Sequence, residues 1–273
     1  LLFGAVTLFL LAVYRGEFTS IKIWRTWPRG TTLLAAAGVA LYQILFFAAV
    51  ARTGVAVGTI VGIGSTPIAA GILVFLWHKE RPGRRWMLAT TLAILGCVLL
   101  ILIGGSIEVD ALGILLAIGA GSAYALYTLL SKELLGAQPP GAVLTVTFTL
   151  GVLMLLPVLI FGDLTWLLEP RGMAVALHLG VVTVGIAYLL FAIGLSAVPV
   201  ATAATLTLAE PLTAGLLGVV VLGESLSGAG LIGILLILCG LLVLTVKMRS
   251  PAVEQPILPF TPGPDQESEI TRP

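Results

Sequence analysis

A glutamate followed by a proline, Glu210-Pro211, interrupts the otherwise uncharged apolar run Val200–Leu222. An ionisable side chain at bilayer depth costs roughly 2.5–3.5 kcal/mol even on insertion scales, and proline removes a helical hydrogen bond and bends the helix. The Glu210 carboxyl group could bind a substrate amine or exchange a proton, or it could stay protonated and bond to carbonyls freed by the bend. A charge and a bent helix at one depth predict a membrane protein that passes a polar solute.

Further polar side chains inside apolar runs are candidates to line such a pathway. Tyr124 begins a stripe that continues through Tyr127, Thr128 and Ser131, a spacing that places all four on one helix face. In lipid such a stripe faces either a cavity or a neighbouring helix. Gln43 could orient a substrate or act as a packed polar bridge. The predicted substrate-binding set is Glu210, Gln43, Tyr42, Thr66, Tyr124 and Tyr188.

Pro67 and Pro211 are the predicted hinges, although fixed kinks are also tolerated in membrane helices. Other chemistry has little support. The chain has two histidines and two cysteines, so we expect no metal centre or other cofactor, and no phosphate-binding G-x-x-x-x-G-K motif is present. Ser122 and His178 form a conceivable serine–histidine pair without a third orienting group, so we expect no enzyme. A non-transporting sensor or scaffold is the remaining alternative.

The composition places the chain in lipid. Apolar residues make up 59%, charged residues 10%, and the mean hydropathy is +1.14, against about 45–50% and about 25% in soluble domains. Nine apolar segments follow from hydropathy. They are Leu1–Tyr14, which looks truncated, Thr32–Ala51, Val55–Trp77, Trp86–Ile103, Leu112–Leu130, Ala142–Phe161, Met173–Leu195, Val200–Leu222 and Gly228–Val246.

Basic residues alternate between the connections. Twelve lysines and arginines fall in one set of alternate loops and the C-terminal tail, whereas the other set holds Arg52 and Arg171 alone. Cytoplasmic loops carry the excess of basic residues. We therefore predict a multi-pass protein of the plasma (inner) membrane with a cytoplasmic C-terminus. Residues 247–273 are polar and proline-rich, which predicts a disordered cytoplasmic tail.

The two halves of the chain are related by a shift of 144 residues. The shift superposes Pro67 on Pro211 and Gly96 on Gly240. The two superposed stretches lie five membrane spans apart. Because five is an odd number, they cross the membrane in opposite directions. Leu112–Leu130 then lacks a partner, which would precede Leu1. We predict an all-α integral membrane bundle of ten helices in two inverted five-helix repeats, with nine helices visible and the N-terminal helix missing. The predicted domains are residues 1–103, 110–246 and the tail.

Several motifs of this sequence, by their order and spacing together, resemble those of the EamA-type members of the drug/metabolite transporter superfamily. They are Gly113 to Lys132 with Tyr124-Ala125-Leu126-Tyr127, Leu179 to Leu190, Glu210-Pro211-Leu212 followed by Leu222-Gly223-Glu224, and Thr66-Pro67-Ile68 in the first half. The resemblance implies secondary transport, often export, of small metabolites across the inner membrane. We expect amino acids or their derivatives as substrates, alternating access as the mechanism, and the lipid bilayer and coupling protons as partners, with no nucleic acid.

Overall fold

The computed structural model describes residues 1–18, 27–102, 110–162, 164–222 and 228–245, and helices are its regular elements throughout these ranges. The predicted tail and the Gly223-Glu224 pair lie outside the described residues. The helices are α1 (Leu2–Tyr14), α2 (Arg29–Val55), α3 (Val57–His78), α4 (Arg84–Leu102), α5 (Ala111–Leu135), α6 (Pro140–Met154), α7 (Leu156–Phe161), α8 (Pro170–Ala197), α9 (Val200–Leu206), α10 (Ala209–Leu222) and α11 (Gly228–Thr245).

Four of these helices, α2, α3, α5 and α8, are long and apolar enough to cross a membrane by themselves. The shorter apolar helices include α1 and α6. Each apolar segment found in the sequence coincides with one helix or with two consecutive helices. The all-helical membrane architecture is therefore confirmed, whereas the count of ten helices and the domain boundaries stay predictions.

Two apolar segments that hydropathy predicts as single helices are each divided in the structure. Ala142–Phe161 forms α6 and α7, which meet at Leu155 (φ −89°, ψ 0°), two residues before Pro157. Val200–Leu222 forms α9 and α10, which meet shortly before Pro211. In both cases a proline lacks the N–H that would continue the helix. Hydropathy does not register the break because proline leaves the segment apolar.

The helices α2 and α3 form a tight antiparallel hairpin around Gly54. Gly54 has a φ of +79°, in the region that favours glycine, and separates two helical stretches. A Cβ added at Gly58 would lie 2.9 Å from Val50, and one at Gly62 would lie 3.7 Å from the Phe46 ring. Small residues on this face of α3 therefore allow the two helices to lie against each other.

The helices α4 and α11 cross at two glycines that the 144-residue shift relates. A Cβ added at Gly96 would lie 2.5 Å from the Gly233 carbonyl oxygen, and a Cβ added at Gly240 would lie 2.6 Å from the Ala89 carbonyl oxygen. The same shift that carries Gly96 onto Gly240 carries Ala89 onto Gly233. Each contact is thus the counterpart of the other, as two inverted repeats packed about a pseudo-two-fold axis require.

The helix α5 packs across the α2–α3 hairpin. A Cβ added at Gly38 of α2 would lie 3.3 Å from the Tyr127 backbone nitrogen, and one added at Gly121 of α5 would lie 2.4 Å from the Gly62 carbonyl oxygen. The helix α5 also contributes Tyr127 and Leu130 to a buried core that it shares with α1, α2, α6 and α8. The middle of α5 therefore lies between both halves of the bundle.

Polar contacts at the helix ends join loops that the charge pattern assigns to the same side of the membrane. Arg52 Nε lies 3.0 Å from Asp110 Oδ2, between two loops of the predicted outer side. Lys132 Nζ donates to the carbonyl oxygens of Leu195 and Ser196 at 2.8 Å each, between two connections of the predicted cytoplasmic side. The relative sidedness of these connections agrees with the prediction, while the absolute orientation stays a prediction.

Candidate functional site

A cavity of about 420 Å³ lies among α2, α3, α5, α8 and the junction of α9 with α10. This volume falls within the range of about 300–1,000 Å³ that is usual for small-molecule sites. The lining residues are Tyr42, Phe46, Gly62, Ile63, Thr66, Tyr124, Thr183, Ala187, Tyr188, Phe191, Leu206, Thr207 and Glu210. Five of the six predicted substrate-binding residues are thus brought together, and Gln43, half-buried on α2, is not among the lining residues.

The break between α9 and α10 places Glu210 at the cavity. Pro211 has no N–H to donate to the carbonyl of Thr207, four residues earlier, and its ring crowds that carbonyl. Instead the Glu210 N–H donates to the Thr207 oxygen at 2.9 Å, and the Leu208 N–H donates to the Thr205 oxygen at 3.1 Å. These three-residue bonds tighten the chain and end α9. Glu210 consequently lies in the first turn of α10.

The position of Glu210 at a helix start changes its electrostatic setting. The first turn of a helix offers unpaired N–H groups and the positive end of the helix dipole, both of which favour a carboxylate. The Glu210 side chain is exposed at the cavity, and within the described ranges it takes part in none of the ion pairs. The dipole offsets part of the desolvation cost that the sequence alone assigns to this residue.

The equivalent position in the first repeat is built differently. The helix α3 continues through Pro67 with helical backbone angles, whereas the segment that contains Pro211 is divided into α9 and α10, and the hinge role of Pro67 stays a prediction. The Thr66 hydroxyl donates to the Gly62 carbonyl oxygen at 3.0 Å, as does the Ser65 hydroxyl, and Gly121 of α5 lies against this turn. These contacts pack the turn of α3 before Pro67 against α5 and give both hydroxyl groups an acceptor. Thr66 remains at the cavity wall, although it is buried.

Five aromatic rings form a continuous part of the cavity wall, and we call them the aromatic wall. Neighbouring ring centroids lie 5.5 Å apart for Tyr42 and Phe46, 5.4 Å for Tyr42 and Tyr124, 6.3 Å for Tyr124 and Phe191, and 6.4 Å for Phe191 and Tyr188. Rings at these separations contact each other and stabilise one another's positions. The cavity therefore presents several ring faces that are fixed by mutual packing.

A second aromatic layer supports the aromatic wall from behind. Tyr127 and Phe148, both 1% exposed, meet edge to face with centroids 6.0 Å apart. The Phe148 ring also meets Tyr188 edge to face at 5.0 Å. Of the polar stripe on α5, Tyr124 lines the cavity, whereas Tyr127, Thr128 and Ser131 are buried in helix contacts. Tyr124 thus faces the cavity, whereas the Thr128 hydroxyl donates to the Tyr124 carbonyl oxygen of its own helix at 2.9 Å.

Sequence reasoning missed three prominent lining residues, Phe46, Thr183 and Phe191. Helical spacing contains the signal for two of them, because Phe46 lies four residues after Tyr42 and Phe191 lies three residues after Tyr188. Thr183 belongs to a π-helical stretch of α8, Leu179–Ala187. Such stretches are rare and often occur at functional sites. A search for the helix face around each predicted tyrosine would have found the two phenylalanines.

Two other kinds of site, a metal centre and a serine–histidine pair, concern residues in the described part of the chain. No group of three or more metal-ligating side chains occurs there. The Ser122 hydroxyl donates to the carbonyl of Ile118 on its own helix at 2.9 Å, and His178 is exposed on α8, with no hydrogen bond between Ser122 and His178. Among the lining residues Glu210 is the one that carries a formal charge.

Comparisons with known proteins agree with this architecture. The EamA-like transporter family matches residues 1–102 and 111–246. A Bacillus subtilis protein named uncharacterized transporter YwfM is 46% identical over 240 residues, covering 88% of this chain and 80% of the relative. The threonine/homoserine exporter RhtA of Salmonella typhimurium is 30% identical over 190 residues, which cover 67% of this chain and 62% of RhtA.

One solved crystal structure has the same fold, with a TM-score of 0.75 at 22% identity, covering 89% of this chain and 83% of that one. At that identity the likeness shows the fold alone. The family match extends over both halves of the bundle and includes every residue of the cavity wall. The chain therefore belongs to the EamA-like transporter family and is a membrane transporter.

Proposed function

We propose that this transporter exports small amine-bearing metabolites across the plasma membrane, with amino acids and their derivatives as the first class to test. The observation that carries the proposal is a carboxylate at a helix break inside a cavity of metabolite size, Glu210 between α9 and α10. The amino-acid class and the outward direction are supported by the relative named as a threonine/homoserine exporter.

The mechanism we propose is alternating access around this cavity. The lining residues come from both repeats, α2 and α3 on one side and α5, α8, α9 and α10 on the other. A site at the interface of inverted repeats opens to either side when one repeat rocks against the other. The break between α9 and α10 supplies a point of bending in the second repeat, whereas α3 is helical through Pro67 in the first repeat.

Glu210 has two roles in this scheme. As a carboxylate it binds the substrate amine, and as a group that gains and releases a proton it couples transport to the pH gradient. Both roles need the carboxyl oxygen pair at the cavity, so a glutamine at position 210 abolishes both. The side chains of Thr66 and Thr207 provide hydroxyl groups at the same wall that orient the remainder of the solute.

The test is uptake into proteoliposomes containing the purified full-length protein. A panel of amino acids, amino-acid amides and amines is offered with and without a pH gradient, to the unchanged protein, Glu210→Gln and the control Glu169→Gln. Glu169 is an exposed carboxylate outside the cavity whose side chain makes no capping bond. Saturable uptake that disappears in Glu210→Gln and persists in Glu169→Gln supports the proposal. Absence of uptake for the whole panel by folded protein contradicts it.

A further inference from the structure

The described lining residues of the cavity carry one formal charge, which is negative, and this distinguishes amines that lack a carboxylate from amines that carry one. Glu210 is the charged member of the lining set, and no lysine, arginine or histidine belongs to that set. A ligand amine finds a carboxylate there, but a ligand carboxylate finds no opposite charge among the described lining residues. A charge that enters a site without a partner loses its hydration uncompensated.

The aromatic wall adds to the preference for cations. An ammonium group within about 6 Å of a ring centroid is attracted by the negative face of the ring. Five contacting rings offer such faces, contributed by Tyr42, Phe46, Tyr124, Tyr188 and Phe191. Glu210 lines the same cavity as the rings of Tyr42, Tyr124 and Tyr188. The carboxylate and the rings therefore act on the same space.

We propose that the cavity is a site for organic monocations, which binds an amine whose carboxyl group is absent or neutralised more tightly than the corresponding zwitterionic amino acid. This inference rests on the proposed function and narrows its substrate class. The ammonium group pairs with Glu210 and lies against the aromatic wall, while the apolar body of the ligand packs on Ile63, Ala187 and Leu206. A free carboxylate on the ligand is repelled by Glu210.

The experiment compares three probes with one carbon skeleton that differ in charge. Phenylalaninamide is a monocation, phenylalanine is a zwitterion and 3-phenylpropanoate is an anion. Binding of each to the purified full-length protein is measured by equilibrium dialysis at about pH 6, well below the pKa of an α-amino group, so that phenylalaninamide is protonated while the carboxyl groups of the other two probes stay ionised. We expect phenylalaninamide to bind at least tenfold more tightly than phenylalanine and 3-phenylpropanoate not to bind measurably.

Two variant pairs separate the charge from the rings. Glu210→Gln is expected to weaken phenylalaninamide binding at least tenfold, whereas Glu169→Gln leaves it unchanged. Tyr42→Leu is expected to weaken it about fivefold, near the value for loss of one exposed cation–π contact, whereas Tyr42→Phe keeps the ring and the affinity. Thermal unfolding in detergent verifies that each variant is folded.

Several results overturn the inference. They are equal or tighter binding of phenylalanine, measurable binding of 3-phenylpropanoate, no binding of any probe to folded protein, and unchanged phenylalaninamide binding in Glu210→Gln. The uptake panel, run on the same preparation, separates this failure from failure of the proposed function. Saturable uptake of amino acids without amide preference removes the monocation site alone, whereas absence of all uptake removes the proposed function.

Discussion

The crossing of α4 and α11 gives a quantitative test of the inverted-repeat packing. A Cβ at Gly96 would lie 2.5 Å from the Gly233 carbonyl oxygen, and a Cβ at Gly240 would lie 2.6 Å from the Ala89 carbonyl oxygen. Both distances are below the 3.0 Å that real Cβ contacts keep, and the atoms met are backbone. The helices must therefore part by about 0.5 Å in either alanine variant, an overpacking that typically costs about 1–3 kcal/mol.

Because the two contacts are counterparts, we expect Gly96→Ala and Gly240→Ala to lower the free energy of unfolding by similar amounts. The double variant should cost less than the sum of the two single variants, since helices already forced apart no longer clash at the second site. Thermal unfolding in detergent, followed by tryptophan fluorescence, measures all three variants. Gly194→Ala is the control, because nothing lies within 4 Å of its Cβ. Strictly additive costs, or a harmless Gly96→Ala, would refute this reasoning.

Three further predictions concern other parts of the fold. Phe148→Ala removes a buried ring from the second aromatic layer and should lower the free energy of unfolding by about 3 kcal/mol, as thermal unfolding measures. Pro211→Ala restores an N–H to the break between α9 and α10 and should slow uptake at least tenfold in folded protein. The backbone N–H of Gly113 holds the pKa of the Asp110 carboxyl below its usual range, so Asp110→Ala should be less stable than the unchanged protein at neutral pH.

The pH dependence of the Asp110 variant has a definite sign. A carboxyl group whose pKa is lowered by folding stabilises the protein above its ordinary pKa, and that stabilisation is lost as the pH falls through the lowered value. The stability difference between the unchanged protein and Asp110→Ala should therefore close in acid. Asp110→Asn is the control, since asparagine retains the helix cap. If the unchanged protein remained more stable than Asp110→Ala by the same amount in acid, the stabilisation would not come from the lowered pKa of the Asp110 carboxyl group.

Controls for the other two variants come from the same chain. Pro67→Ala should slow uptake less than Pro211→Ala, because α3 is already continuous through Pro67. Equal slowing by both substitutions would contradict the hinge at α9 and α10. Phe161→Ala should leave stability nearly unchanged, because Phe161 is 89% exposed. A cost for Phe148→Ala that is no larger than that for Phe161→Ala would show that the second aromatic layer is not tightly packed.

Sequence reasoning predicted the membrane architecture and most of the cavity because both depend on local signals. Hydropathy located the apolar segments, and a polar side chain within such a segment is costly unless it faces a cavity or a partner, which selected Tyr42, Tyr124, Tyr188 and Glu210. The equivalence of Gly96 and Gly240 follows from the 144-residue shift between the two halves of the sequence. In the structure α4 and α11 cross at these two glycines.

The remainder depends on contacts between helices that are distant in sequence. Pro67 and Pro211 occupy equivalent positions of the two halves, but α3 is continuous through Pro67, where Ser65, Thr66 and α5 make local contacts, whereas α9 and α10 are divided before Pro211. Apolar lining residues such as Phe191 resemble core residues until the helices around them are placed. Gln43 illustrates the opposite case, since its polarity is compatible with a cavity or with a packed bridge, and it is half-buried on α2 outside the set of lining residues.

The most direct test of the cavity as the transport pathway is to fill it. Ala187 and Gly194 lie on the same helix, but Ala187 lines the cavity whereas a side chain at Gly194 meets open space. Uptake into proteoliposomes is measured for Ala187→Phe and Gly194→Phe, each verified as folded by thermal unfolding. We expect Ala187→Phe to abolish uptake and Gly194→Phe to retain it. Undiminished uptake by Ala187→Phe would show that the substrate crosses the protein elsewhere.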